Sequence, residues 1–226
     1  LLKDRSIQGE FIQGAYRSSA ALLGIAFIQN IYGSSAMGPL MIVSAVPLYN
    51  IFSVIVLTFE ANDSTGIDKK AKIRQAGINI CKNPIILSIL AGLIVGLLGI
   101  QFPTLVNKTV SNVAQMATPL ALITIGAGFE GRKAIKKLKP TIAATFIKLI
   151  ALAAVFIPVG VALGFRNQEL VAALIMLASP TTVTSYVMAK SMDNDEVLSS
   201  SIIVLTTVLS SITLTGWIFI LRALGL

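Results

Sequence analysis

Five hydroxyls crowd one proline. Ser179, Thr181, Thr182, Thr184 and Ser185 surround Pro180 in the middle of an apolar stretch, residues 170–189, that is long enough to cross a bilayer. Proline has no N–H to give, and its ring clashes with the carbonyl four residues back, so a helix running through Pro180 is kinked or broken. In hydrocarbon a freed backbone group survives only where protein or a water-filled cavity surrounds it. The bland alternative is a kinked membrane helix whose Ser and Thr bond back to their own carbonyls. The density of hydroxyls favours a site for a substrate or an ion.

A second set of polar residues lies within other apolar stretches. Arg17, Ser18 and Ser19 interrupt residues 11–31, Asn50 ends the string PLYN, and Lys148 lies inside residues 141–163. By this reading no Asp or Glu falls inside a span, since Glu60, Glu130 and Glu169 stand at span ends. Cations, hydroxyls and the positive ends of interrupted helices suit an anion, and a small carboxylate is the inferred ligand. Lys148 has two readings, a functional cation or a side chain that snorkels back to the interface. A proton relay would want a buried carboxylate or histidine, which this reading does not find. Sodium held by hydroxyls and unwound carbonyls, or uniport driven by the membrane potential, remain open beside it.

Histidine is absent and Cys81 is the one cysteine, so histidine catalysis and the common zinc sites are excluded within this stretch. No nucleophile–base pair and no metal constellation is visible, and the expectation is not an enzyme, with no cofactor.

The elements that must position these residues are membrane helices. Mean hydropathy is +0.84, with 55% hydrophobic and 12% charged residues, which no soluble domain of this size needs. The net charge of +8 would suit nucleic acid in a soluble chain, but the Lys and Arg cluster between the apolar runs, as the positive-inside rule expects. The fold class is therefore an all-α, multi-pass membrane protein without a nucleic-acid partner.

Seven spans are predicted: residues 11–31, 39–59, 84–100, 109–129, 141–163, 170–189 and 197–221. Residues 1–10 read as a polar loop. Residues 61–83 read as a cytoplasmic linker whose isoleucines could also let it lie on the membrane surface. Gly92 and Gly96 have the small-xxx-small spacing that lets helices approach closely, and packing is also expected of the glycines in GAGFEG. Arg132, Lys133, Lys136, Lys137 and Lys139 share one loop, the strongest orientation signal in the chain. Asn194 or Asp195 is a plausible cap for the last helix. Alternating the spans places the N-terminus inside and the C-terminus outside. Residue 1 is Leu and no charged-then-apolar leader follows, so the chain reads as starting within a longer protein.

The spans at 11–31 and 170–189 share a broken, polar centre followed by one long intact span, and they run in opposite directions. That is the pattern of an inverted repeat, in which two discontinuous helices meet near the midplane. Residues 1–60 would end the first repeat, as its fourth and fifth helices, and residues 84–226 would form the second.

From residue 11 onward the chain resembles the auxin efflux carrier family, which includes the plant PIN auxin exporters and bacterial carriers of malate and malonate type. The resemblance rests on YRSSAALLGIAF, PLYN, KNP, FPTLVNKTVSNVAQMATPLALITIGAGF and ASPTTVTSYVMAKS, in that order. It implies ten helices in two inverted five-helix repeats, whose fourth and ninth helices cross at breaks where substrate binds. Carried over, Ser18 and Ser19 fall at the first crossover and Pro180, Thr181 and Thr182 at the second. The family often has Pro-Asn or Ser-Asn in place of Ser18-Ser19, and a second proline in place of Ser185. Relatives can carry a basic residue at the place of Lys148.

The implied function is a secondary transporter of small organic anions in the cytoplasmic membrane. The expected partners are that anion and the lipid bilayer, with a homodimer and coupling to sodium or a proton left open. The alternatives are a sodium-coupled symporter of bile-acid type and a seven-helix receptor or membrane subunit without flux.

Overall fold

The computed structural model describes residues 7–20, 25–33, 37–60 and 69–226. Every regular element among them is helical. The first broken span comprises α1 (Gln8–Tyr16) and α2 (Ile25–Tyr32), and α3 (Met37–Glu60) follows. Next come α4 (Lys69–Lys82), α5 (Pro84–Leu97), α6 (Thr104–Ala127) and the short α7 (Gly131–Lys136). A single long span is assembled from α8 (Leu138–Phe146), a π-helical turn (Ile147–Ala151) and α9 (Leu152–Ala162). The second broken span is α10 (Asn167–Ala178) with α11 (Thr184–Ser191), and α12 (Glu196–Ala223) closes the chain.

Four helices are long and apolar enough to cross a membrane: Met37–Glu60, Thr104–Ala127, Leu138–Ala162 and Glu196–Ala223. A fifth arises if Ile73–Lys82 and Pro84–Leu97, bent by 56°, count as one span. The pairs α1–α2 and α10–α11, expected from the sequence to be two broken spans, are not among the helices and helix pairs that meet these criteria. Apolar side chains such as Leu40, Val43, Leu97, Leu105 and Ile212 are exposed on the outer faces, as hydrocarbon allows.

Several boundaries differ from those read off the sequence. Residues 8–10 belong to α1 rather than to a loop, and Glu10 lies in its first turn, where the helix dipole favours an acidic side chain. Residues 1–6 and 61–68 lie outside the described residues. Residues 69–82 are helical, because Lys, Ala, Arg and Gln are strong helix formers whatever their solvation. Asn83 then starts α5: its Oδ1 accepts from Ile85 N at 2.9 Å and Ile86 N at 3.3 Å, with Pro84 at the first helical position. Pro103 precedes α6, so that helix begins five residues earlier than the hydropathy suggests. A Cβ at Gly92 or Gly96 would meet nothing within 4 Å, so neither brings two described helices together. Gly128 does, with Tyr186 Oη 2.9 Å from where its Cβ would stand. Asp195, of the two candidates, caps α12 by accepting from Leu198 N at 2.9 Å, and it also pairs with Lys137.

The core sits on α10. Leu170, Leu174, Ile175 and Ala178 have no exposed surface and pack with Ala153 and Ile157 of α9, Leu214 and Leu221 of α12, Ile28 of α2 and Met41 of α3. Within hydrocarbon such burial stabilises through close van der Waals packing rather than by removing apolar surface from water. It fixes the second broken span as the hub against which the first is laid.

The crossover as a candidate functional site

Both broken spans give way at the middle, for different reasons. Ser179 precedes Pro180, is pushed out of the helical region by it, and adopts φ −72°, ψ 158°. The break in the first span has no proline: α1 ends at Tyr16 and Arg17 turns extended at φ −72°, ψ 137°. What replaces the lost helical bonds there is the other break. Ser19 N donates to Pro180 O at 2.9 Å, Thr181 Oγ1 donates to Gly14 O at 2.7 Å, and the hydroxyls of Ser18 and Ser179 are hydrogen-bonded. Ser18 Oγ also donates to Ile175 O at 3.3 Å, and Thr181 N donates to Thr206 Oγ1 of α12 at 3.1 Å. The two interruptions thus satisfy one another's backbone, which is the condition for breaking a helix inside a membrane.

Two cations are built into this crossing. Lys148 is fully buried, and its Nζ donates to Leu177 O at 2.8 Å and to Tyr16 O and Met176 O at 3.4 Å. It does not snorkel: it joins the C-terminal ends of α1 and α10, where orphan carbonyls and the helix dipoles present negative charge. Within the π-turn around it, Leu149 O accepts from Trp217 Nε1 at 3.0 Å. Such turns are frequent at functional sites.

Arg17 is 2% exposed. Its Nη2 donates to Asn50 Oδ1 at 2.5 Å, and its Nη1 faces Gln13 Oε1 at 3.2 Å, Ser53 Oγ at 3.3 Å and Met188 Sδ at 2.7 Å. Asn50 is held at its other end, since its Nδ2 donates to Val46 O at 2.8 Å. Pro47 lies in the same turn of α3. Tyr16 completes the wall: its hydroxyl bonds to Ser53 Oγ at 2.8 Å and to Tyr49 O at 3.2 Å, and its ring lies 5.9 Å from that of Tyr49.

Of the residues singled out in the sequence, Arg17 and Asn50 meet directly, and Ser18, Ser19, Pro180 and Thr181 form the crossing itself. Thr182 and Thr184 bond to each other at 3.0 Å, half-buried at the start of α11. Ser185 is buried and its Oγ has no partner among the described residues. A cavity of about 360 Å³ lies elsewhere, between α2 and the end of α12, lined by Phe27, Asn30 and Arg222 among others. No group of three or more His, Cys, Asp or Glu that could hold a metal occurs among the described residues.

The sequence reading missed Glu10 and Gln13. Glu10 is 1% exposed and Gln13 fully buried, so the claim that no acidic residue enters a span is overturned. Gln13 Nε2 donates to Glu10 Oε2 and to Ser185 O, both at 3.1 Å, and Gln13 Oε1 accepts from Arg17. Glu10, Gln13 and Arg17 are spaced i, i+3 and i+7, one face of a helix. That spacing was the available signal, hidden because the residues straddle the edge of the apolar run.

Comparison with known proteins places the chain. Residues 15–218 match the model of the family described as membrane transport protein. The chain is 25% identical over 169 residues to "Uncharacterized transporter YfdV" of Escherichia coli K12, over 74% of this chain and 53% of that protein. It matches the proteins of the same name from Escherichia coli O157:H7 and Shigella flexneri to the same extent. The chain therefore spans about half the length of the curated relatives it matches. With the family model covering nearly all of it, the chain belongs to the membrane transport protein family, that of the auxin efflux carriers.

Proposed function

We propose that the chain is the crossover-bearing part of a secondary transporter that exports or exchanges small organic anions, carboxylates among them, across the cytoplasmic membrane. The observation that carries this reading is the stitching of Ser18–Ser19 to Ser179–Thr181 beside two buried cations. Arg17 and Lys148 outnumber Glu10, so with all three ionised the crossing carries a net positive charge, which supports an anion as the ligand. The start of α11, with the half-buried hydroxyls of Thr182 and Thr184, is the positive end of a half-helix and offers donors to a carboxylate. In the full arrangement the two broken spans belong to opposite repeats of a ten-helix carrier. The basic loop then faces the cytoplasm and the C-terminus lies outside. Alternating access follows from rocking one bundle against the other around the crossing.

The test is flux of radiolabelled mono- and dicarboxylates into proteoliposomes holding the full-length protein. Lys148→Ala and Arg17→Ala should each lower carboxylate flux about tenfold or more, the effect of losing about 1.4 kcal/mol of binding. Lys148→Arg should retain more. Equal flux in all three, at equal amounts of folded protein, removes both cations from the site. Repeating the measurement with and without sodium decides whether a sodium gradient drives it.

A further inference from the structure

Glu10 is a buried acidic side chain, 1% exposed, on the face of α1 that also carries Gln13 and Arg17. Its Oε2 accepts from Gln13 Nε2, and Gln13 Oε1 accepts from Arg17 Nη1, so carboxylate and guanidinium communicate through one amide instead of forming an ion pair. Its Oε1 has no hydrogen-bond partner among the described residues. Ser199 Oγ of α12, 2% exposed, stands beside the carboxyl and is placed to hydrogen-bond with it. A buried carboxylate with an unsatisfied oxygen is costly. A proton on Oε1 removes the buried charge, and the Ser199 hydroxyl can partner either state, donating to the carboxylate or accepting from the carboxyl.

We propose that Glu10 binds the proton that moves with the transported anion, and that Gln13 transmits its state to Arg17. The idea rests on the transport reading above and names its coupling ion. With Oε1 protonated, Arg17 is left without an opposing charge and holds the anion. With the proton gone, the carboxylate offsets Arg17 through the Gln13 amide and the anion is released. Proton and anion therefore bind together and travel in the same direction, so an inward proton gradient favours uptake, and of the modes proposed above the relay fits exchange, or efflux down the anion's own gradient. The Gln13 amide also donates to Ser185 O, so the same relay touches the second broken span.

The other ionisable groups around α1 are engaged elsewhere. On α1 itself the Tyr16 hydroxyl is tied to Ser53, and Lys148 of the π-turn is tied to three carbonyls. On α12, Glu196 pairs with Lys190 of α11 at 3.2 Å, and Asp195 pairs with Lys137. α3 brings Glu60, whose Cβ is 3.3 Å from where a Gly9 Cβ would stand. The inner face of α8 presents the uncharged Thr141 and Thr145. Arg17 is the charge that acts on Glu10.

The experiment uses the full-length protein with radiolabelled malate and malonate as probes, the membrane potential clamped, and a pH dye inside the liposomes. Accumulation should rise about tenfold per unit of inside-alkaline pH gradient for one proton per anion, with matching acidification of the lumen. In Glu10→Gln the ratio of uptake with and without the gradient should fall to about one, whatever its overall rate. Glu10→Asp should keep the response with a displaced pH midpoint. Independently of flux, infrared difference spectra across pH should show the carbonyl stretch of a protonated carboxyl in the wild type and lose it in Glu10→Gln. Wild-type proton coupling in Glu10→Gln, or no titrating band that depends on Glu10, overturns the proposal. A Glu10-dependent band in a protein that moves neither probe supports the proton site and counts against the transport reading alone.

Discussion

At Gly14 the first broken span comes closest to α12. A Cβ there would stand 2.7 Å from Ile202 Cδ1 and 3.2 Å from its Cγ2, and the Gly14 carbonyl is the one that takes Thr181 Oγ1. Ile202 is itself fully buried, so its side chain has little room to turn away. Gly14→Ala should cost about 1–3 kcal/mol by overpacking, and Ile202→Val should recover part of that loss in the double variant. Thermal unfolding in detergent measures both, and an unchanged midpoint for Gly14→Ala would show that the two helices do not approach so closely. The same scale shows what residue types alone could reveal. Arg17, Asn50 and Lys148 stood out because charge and amide groups are expensive in apolar runs. Glu10 and Gln13 did not, because polar residues at the edge of a run look like a loop until α3, α8 and α12 close over them.

At the scale of the helix, one break was legible and the other only half so. Pro180 acts through its own ring and missing N–H, which any reader of the sequence can apply. The turn at Arg17–Ser19 depends on Pro180 O and Thr181 Oγ1, contacts that form only when the two spans meet. The π-turn at Lys148 was invisible for the same reason, since nothing in IKLIA forbids an ordinary helix. Pro180→Ala makes the distinction testable. It relieves Ser179 of its restriction and restores an N–H, so α10 can gain a turn and draw the carbonyl of residue 180 away from Ser19 N. Flux should fall about tenfold or more, while the helical content measured by circular dichroism stays level or rises slightly. Wild-type flux in Pro180→Ala would mean that tertiary contacts alone hold the crossing open.

For the molecule as a whole, orientation decides which aqueous side reaches the crossing first, and charge sets the orientation. Arg132, Lys133, Lys136, Lys137 and Lys139 lie in and beside α7, whereas the stretch between α5 and α6 carries no cation and Lys108 follows only within α6. Short basic loops resist transfer across the membrane, so this asymmetry is the ground for proposing the α7 side as cytoplasmic. Glu10 lies toward that side, since its neighbour Gly9 is beside Asn194 in the turn before α12. Its proton would then reach the cytoplasm by the shorter path in the inward-open state. Substituted cysteines read this directly. Cys81 is free and exposed, so the background is first cleared by replacing it, and any further cysteine of the full-length protein, with serine. A membrane-impermeant thiol reagent applied to intact cells should label Gln101→Cys and spare Lys136→Cys, both exposed positions, and inverted vesicles should reverse the result. Labelling of Lys136→Cys from outside intact cells would turn the molecule over and place Glu10 nearer the external face.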